Sequence, residues 1–349
     1  MMTDDRALRW LLKPVEKWMT DPATTDFCMN HPGEAWVKQR GTWFSVETPY
    51  EMEDLEMIGL HSAGLRRQDI WTDTPLCATT SPWGHRVQLI QRPCVLPGTY
   101  SYSARRAGDW QPTLEGLSAA GLFAATRRHD EAGGRLRAYE EPERFYREGD
   151  MENFWKSVVR NGLTVMAGGR MGSGKTTFVR ALGADVDPAK RVCSIEDEDE
   201  ARLTQPNRVG MLYSEGGQGE ADVGPEKLMI AALRMAVEFA MVQELRNASA
   251  WAFLRMAATI QTFTTNHGDS CFGIFDSTRL MLKAPGSGAN GMQDVDIFRL
   301  LNRYVDVVVH CEFTPPAEPG GKGSYGQDEV WFRGVDKPLG LTVEQAEMA

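Results

Sequence analysis

Eight residues limit what this chain can fold into more than any others do. They are Gly169, Arg170, Met171, Gly172, Ser173, Gly174, Lys175 and Thr176, a full match to GxxxxGK[ST]. Bringing a phosphate within reach of several backbone N–H groups needs a chain that curls with no side chains in the way, and glycine permits this. The lysine then sets a cation against the β- and γ-phosphates, and the hydroxyl after it is a ligand for Mg²⁺. The flanks agree with the motif. Leu163–Ala167 is an apolar run of strand length and Thr176–Leu182 reads as a helix. The loop therefore joins a strand to a helix N-terminus, where the dipole favours anions. Candidate ligands of a nucleoside triphosphate are Gly169, Gly172, Ser173, Gly174, Lys175, Thr176 and Thr177.

A strand–loop–helix unit needs neighbours, and residues 151–349 supply them. Val192–Ile195, Val209–Leu212, Phe239–Val242 and Val305–Val309 are further apolar runs separated by helical patterns. Such alternation predicts an α/β domain with a mainly parallel sheet and helices on both faces. Residues 1–112 read differently, as an N-terminal α+β domain. A helix from about Arg6 to Met19, split at Pro14, precedes short strands at Ala35–Val37 and Trp43–Val46. Residues 51–68 then look helical and 76–103 strand-like. Residues 113–150 are charged and helical and read as a connecting segment, while Glu215–Gly224 and Pro315–Gly326 read as glycine-rich mobile loops. With 349 residues, 42% apolar and 25% charged, two globular domains are the natural expectation.

Composition also excludes some functions. A formal charge of −10 argues against a protein whose main task is coating nucleic acid. The six cysteines (Cys28, Cys77, Cys94, Cys193, Cys271, Cys311) are scattered, without a CxxC pair, as in a reducing compartment. The sequence shows no apolar run near membrane-spanning length, so the expectation is a cytoplasmic protein that meets a membrane through partners.

Three more clusters carry chemistry. Glu196, Asp197, Glu198, Asp199 and Glu200 follow the run Val192–Ile195, where strand ends of a parallel sheet face the ligand crevice. They suit Mg²⁺ held through water, or an oriented attacking water, although a run of acids reads equally well as a solvated loop. Glu244 ends Phe239–Val242 as a Walker B acid would, and by itself reads as well as a first-turn helix glutamate. His267, after Thr264, Thr265 and Asn266, stands where a ring nitrogen can bond a γ-phosphate; a lone histidine is more often a satisfied polar residue.

In this order and spacing, the four elements resemble the type II/type IV secretion superfamily of hexameric traffic ATPases, in its conjugation and type IV secretion branch. Ser194–Asp197 with Glu200 looks like that family's Asp box, and Glu244–Arg246 like the end of its Walker B strand. Thr264–His267 is similar to its His box, while Asn30–Val37, Gly84–Gln88 and Ser103–Arg106 are similar to its N-terminal domain. The resemblance implies an N-terminal domain that covers the nucleotide and a RecA-like P-loop ATPase domain, with ATP and Mg²⁺ bound at the subunit interfaces of a homohexamer. It further implies Lys175, Glu196, Glu244 and His267 as catalytic residues, with either Glu196 or Glu244 orienting the water. Thr176 and Glu244 would hold the metal, and Arg86 and Arg105 would reach the phosphates. Implied partners are inner-membrane secretion components, with nucleic acid only as transported cargo. The implied work is energising assembly of a secretion or conjugation apparatus, or transport through it.

Three stretches depart from the family's pattern. Thr259–Phe263 lacks both glycines and the histidine of its Thr-Gly-His-x-Gly, Gln243 replaces the glycine before the Walker B acid, and a loop over 314–327 replaces a basic strand. Two other readings stay open: a nucleotide-gated assembly switch with little turnover, and a RecA-type nucleic-acid motor.

Overall fold

Two sheets, one antiparallel and one mostly parallel, organise the chain. The structure, a computed structural model, describes residues 5–106, 113–126, 134–214, 219–246, 249–316, 318, 321–342 and 345. Part of the expected connecting segment (127–133) and parts of the two glycine-rich stretches (215–218, 317, 319 and 320) lie outside the described residues.

The N-terminal half opens with α1 (Arg6–Leu11), a 3-10 turn at Lys13–Val15 and α2 (Glu16–Thr20). Pro14 has no N–H to continue α1, so the helix splits where the sequence predicts. Next come β1 (Thr24–His31), β2 (Glu34–Gln39), β3 (Thr42–Glu47), α3 (Met52–Gly64), β4 (Leu76–Thr80), β5 (Arg86–Ile90) and β6 (Ser101–Arg105). The six strands form an antiparallel sheet in the order β3-β2-β1-β6-β5-β4. Alternation along β1 decides its two faces. Phe27 and Met29 bury against Leu8, Leu12, Met19 and Ile58 of the helices, while Cys28 and Asn30 point the other way, to the second domain.

The second half contains α4 (Leu114–Ala119), α5 (Gly134–Glu148), α6 (Met151–Arg160), β7 (Val165–Gly169), α7 (Lys175–Ala184), β8 (Val192–Glu196) and β9 (Arg208–Leu212). After these come α8 (Pro225–Ala232), β10 (Phe239–Glu244), α9 (Ser249–Ala257), β11 (Gln261–Asn266), α10 (Cys271–Leu282), α11 (Asp294–Tyr304), β12 (Val307–Thr314) and β13 (Ser324–Phe332). The sheet order is β13-β12-β7-β11-β10-β8-β9, parallel throughout except for β13. Every residue of β7, β8 and β11 is buried, as a sheet covered on both faces requires. One face packs Val165, Phe239 and Phe263 against α5, α6 and α7; the other packs Met166, Cys193 and Ala240 against α8 to α11.

One expectation is corrected. The stretch over 314–327 is not all loop, because Ser324–Gln327 pairs antiparallel with Cys311–Thr314 and extends the sheet. The end of the expected connecting segment packs against the second domain. Tyr139 of α5 is buried and donates to Asp306, and Tyr146 donates to Asp336 Oδ2 at 2.8 Å.

The domains meet over a polar seam. Arg191, fully buried, donates to Asn30 Oδ1 at 2.9 Å, Ser103 Oγ at 2.9 Å and Met235 O at 2.8 Å, and also to Asn207. Beside it, Glu238 accepts from Lys38 Nζ and Trp43 Nε1, both at 3.0 Å. Burying a guanidinium is tolerable only when its donors are satisfied, and here residues from both domains satisfy them. At the rim of the seam, Cys94–Leu96 lies antiparallel along the outer edge of β9 through Leu96 N to Gly210 O (3.2 Å) and Leu212 N to Cys94 O (3.1 Å).

Candidate nucleotide site

At the C-terminal ends of β7, β10 and β11 lies a cavity of about 950 Å³. Its floor is the turn from β7 to α7. Gly169 has φ +147°, and a Cβ there would lie 2.2 Å from Cys311 O; Gly174, which caps α7, has φ +88°. Both positions need glycine, one for space and conformation, the other for the left-handed backbone. The turn delivers the N-terminus of α7, with its unpaired N–H groups, to the cavity.

Lys175 begins that helix and is 8% exposed. Its Nζ makes a long 3.4 Å bond to Gly169 O, and burial pulls its pKa below the ordinary lysine value, opposed by nearby Glu244. A desolvated ammonium with so little compensation gains from an arriving anion. Ser173 Oγ is buried too, with no hydrogen-bond partner among the described residues.

Across the cavity stands Glu244. Its Oε1 lies 2.6 Å from His267 Nε2 and its Oε2 lies 3.3 Å from an Arg246 nitrogen. Arg246 reaches Asp197 Oδ2 at 3.4 Å, and His267 Nδ1 lies 3.3 Å from Gly169 O. The ring bridges the Glu244 carboxyl and a backbone carbonyl of the turn. A continuous line of contacts thus runs from the acidic loop through Glu244 to the P-loop.

Gly172, Ser173, Gly174, Lys175, Thr176, Thr177, Glu244 and His267 all border the cavity, joined by Asp197, Glu198 and Glu200. Gly169 lies beneath the turn and outside the lining, and two further groups of expected residues do not border it. Glu196, 1% exposed, turns its carboxylate onto its own loop, where Oε2 accepts from Glu200 N (2.8 Å) and Ala201 N (2.6 Å). Burial raises its pKa, against the pull of Ser194 and those two amides. It organises the acidic loop instead of facing the cavity. Arg86 and Arg105 line a separate cavity of about 330 Å³ with Arg66 and Arg234, and Arg105 Nε bonds Asp26 Oδ1 at 2.8 Å. Within one chain, they do not cover the P-loop.

Other cavity residues carry no site role in the sequence reading. Gln243 and Arg246 flank Glu244, and Tyr325 and Gln327 arrive from β13, which reads as loop in the sequence. Cys311 also borders it, its thiol pushed by burial to about 11 and so kept neutral. Among the described residues, no three His, Cys, Asp or Glu side chains are grouped to hold a metal ion by themselves. Thr176 and Glu244 are nevertheless oxygen donors on one cavity, the set Mg²⁺ uses when phosphates and water complete its shell. Among the described residues, no helix is long and apolar enough to cross a membrane.

A parallel sheet that runs a glycine-rich turn into a helix, buries a lysine at the helix start and faces it with a strand-end acid defines a P-loop domain of the nucleotide-hydrolase class. The pattern described as "Type II/IV secretion system protein" matches residues 138–280. The VirB11 protein of Rhizobium radiobacter is 33% identical over 347 residues, covering 98% of this chain and 98% of that protein. The type IV secretion system protein VirB11 of Brucella suis biovar 1 is 31% identical over 328 residues, 92% of this chain and 89% of that one. Among solved structures, the VirB11 ATPase from the Brucella suis type IV secretion system, in complex with sulphate, superposes with a TM-score of 0.84. It is 29% identical and covers 93% of this chain and 94% of its own. The chain belongs to the VirB11 family of type IV secretion ATPases.

Proposed function

We propose that this ATPase binds ATP at residues 169–177 and cleaves it at the cavity between the P-loop and Glu244. The observation that carries the reading is Lys175, a buried ammonium set at a helix N-terminus beside a partnerless Ser173 hydroxyl. A polyphosphate answers all three, because it brings negative charge and acceptor oxygens to a helix N-terminus where, among the described residues, a buried ammonium and a hydroxyl are poorly partnered. Thr176 and Glu244 would hold Mg²⁺, whose charge counters that of the phosphates. Glu244 orients the attacking water, and His267, bridging Glu244 and Gly169, registers the γ-phosphate through whichever contact it gives up.

Arg86 and Arg105 belong to the same reaction through a second copy. Held on the antiparallel sheet away from their own P-loop, they would serve a neighbour's nucleotide in a homohexameric ring, with residues 1–112 acting as the cover, 113–150 as connector and 151–349 as the ATPase domain. Partners at the inner membrane then place the ring on the cytoplasmic side of a type IV secretion apparatus. It would energise assembly of that apparatus or transport through it, and nucleic acid would enter only as cargo.

The test is steady-state ATP hydrolysis by wild type, Lys175→Ala and Glu244→Gln. Each variant is expected to lose roughly 100-fold or more in kcat, the scale of removing a preorganised charge or water-orienting group. A wild type no faster than either variant would leave a nucleotide-gated switch in place of an enzyme.

A further inference from the structure

The pairing of β10 with β11 holds a small irregularity at the site. It runs in register from Phe239 opposite Gln261 to Val242 opposite Thr264, then skips, so that Glu244 opposes Thr265 and Gln243 is left over as a bulge. A bulge frees one residue from the ladder and re-aims its side chain. Here the Gln243 carbonyl accepts from the Thr265 hydroxyl, and its side chain turns toward the acidic loop after β8. Its Oε1 accepts from Asp197 N at 2.9 Å, and its Nε2 donates to Glu200 Oε2 at 3.0 Å. An amide can satisfy an N–H and a carboxylate together while adding no charge to the cavity; a carboxylate or an ammonium cannot.

We propose that Gln243 is a positioning residue for ATP hydrolysis. By tying residues 197–200 to the end of β10, it keeps Asp197 in place against Arg246, and through Arg246 it keeps Glu244 where the water must be oriented. The loop is then braced twice, by the Gln243 amide on one side and the Asp197–Arg246–Glu244 line on the other. The proposal rests on the reading of Glu244 given above. Nucleotide affinity is set mainly by the P-loop, so loss of the brace acts on kcat and leaves binding nearly alone.

The experiment uses the full chain, with steady-state hydrolysis, binding of a fluorescent ADP analogue and a thermal midpoint for each variant. Gln243→Met keeps the side chain's reach and removes both hydrogen bonds. It is expected to lower kcat roughly tenfold or more, with the KM for ATP and analogue affinity within about twofold and the midpoint unchanged. Gln243→Glu sets two carboxylates together and is expected to fall as far. The double variant Gln243→Glu/Glu200→Gln keeps an acceptor for Asp197 N and returns the amide donor from position 200, so it is expected to recover at least half of the wild-type kcat. Wild-type kcat in Gln243→Met, a lowered midpoint accompanying the loss, or no recovery in the double variant would overturn the proposal alone. A wild type no faster than Lys175→Ala would overturn the hydrolysis reading and this proposal with it.

Discussion

Glu196 and Glu244 each end a strand of the parallel sheet, and the fold gives them opposite surroundings. Glu244 faces the cavity among cations; Glu196 is enclosed, and burial raises its pKa. Its ionised form is disfavoured on folding, so Glu196 favours the fold below the ordinary carboxylate pKa, and that contribution is lost as pH rises through the raised value. Glu196→Gln keeps an acceptor for the loop amides without a buried charge. It is expected to melt above wild type near neutral pH, with the gain vanishing toward about pH 4. Its kcat should stay within about threefold of wild type, unlike that of Glu244→Gln. A gain that does not change with pH, or a large loss of turnover, would show that Glu196 acts at the cavity after all. The sequence shows both acids and their strand ends because these are local facts. It does not show which carboxylate a five-residue loop folds back upon, since that depends on Glu200 N and Ala201 N.

The turn from β7 to α7 is the element most fully legible in the sequence, because its glycines answer backbone needs that are purely local. Gly174→Ala tests this. At φ +88° an alanine is strained by about 1–2 kcal/mol. Its Cβ would also meet the Tyr325 ring at 3.0 Å. The variant is expected to lose measurable nucleotide binding while keeping its far-UV circular dichroism; unchanged binding would mean the turn tolerates another path. Two strands were less legible. In β11, Gln261, Thr262, Thr264, Thr265 and Asn266 are polar yet buried, because partners such as Val159 O, which accepts from Gln261 Nε2 at 2.9 Å, come from distant elements. In β13 the first residues are exposed, and they form a strand only because β12 continues past the sheet to meet them. The departure at Thr259–Phe263 leads into β11 at the end opposite the cavity, beside Leu163 and Thr164, so it does not alter the residues that line the cavity.

At the scale of the whole molecule, the P-loop and the arginine pocket sit apart on one chain, and a ring would bring each to its neighbour's counterpart. Mixing settles this. Lys175→Ala and Arg86→Ala/Arg105→Ala chains are each expected to be nearly inactive, whereas mixed rings contain interfaces with one intact P-loop and intact arginines. A mixture that regains roughly a quarter of wild-type activity, the share of such interfaces in random assembly of equal amounts, supports action between subunits; purely additive residual rates would refute it. The family resemblance implies the ring and the reach of these arginines, but the seam between the domains is not legible in the order of residues. The Arg191 seam joins Asn30, Ser103, Asn207 and Met235 across 205 positions of sequence, counting from 30 to 235, and no periodicity announces such a meeting.

The strip Cys94–Leu96 along β9 has a consequence for how the chain is made. An open strand edge is a template for pairing with other chains, and β9 is the outermost strand on its side of the parallel sheet. Residues 94–96 leave the ribosome well before 208–212, and N-terminal domains generally fold first during synthesis. The cover is therefore in place before the edge it covers exists. On that order, the strip would shield nascent second domains on neighbouring ribosomes from each other as β9 emerges.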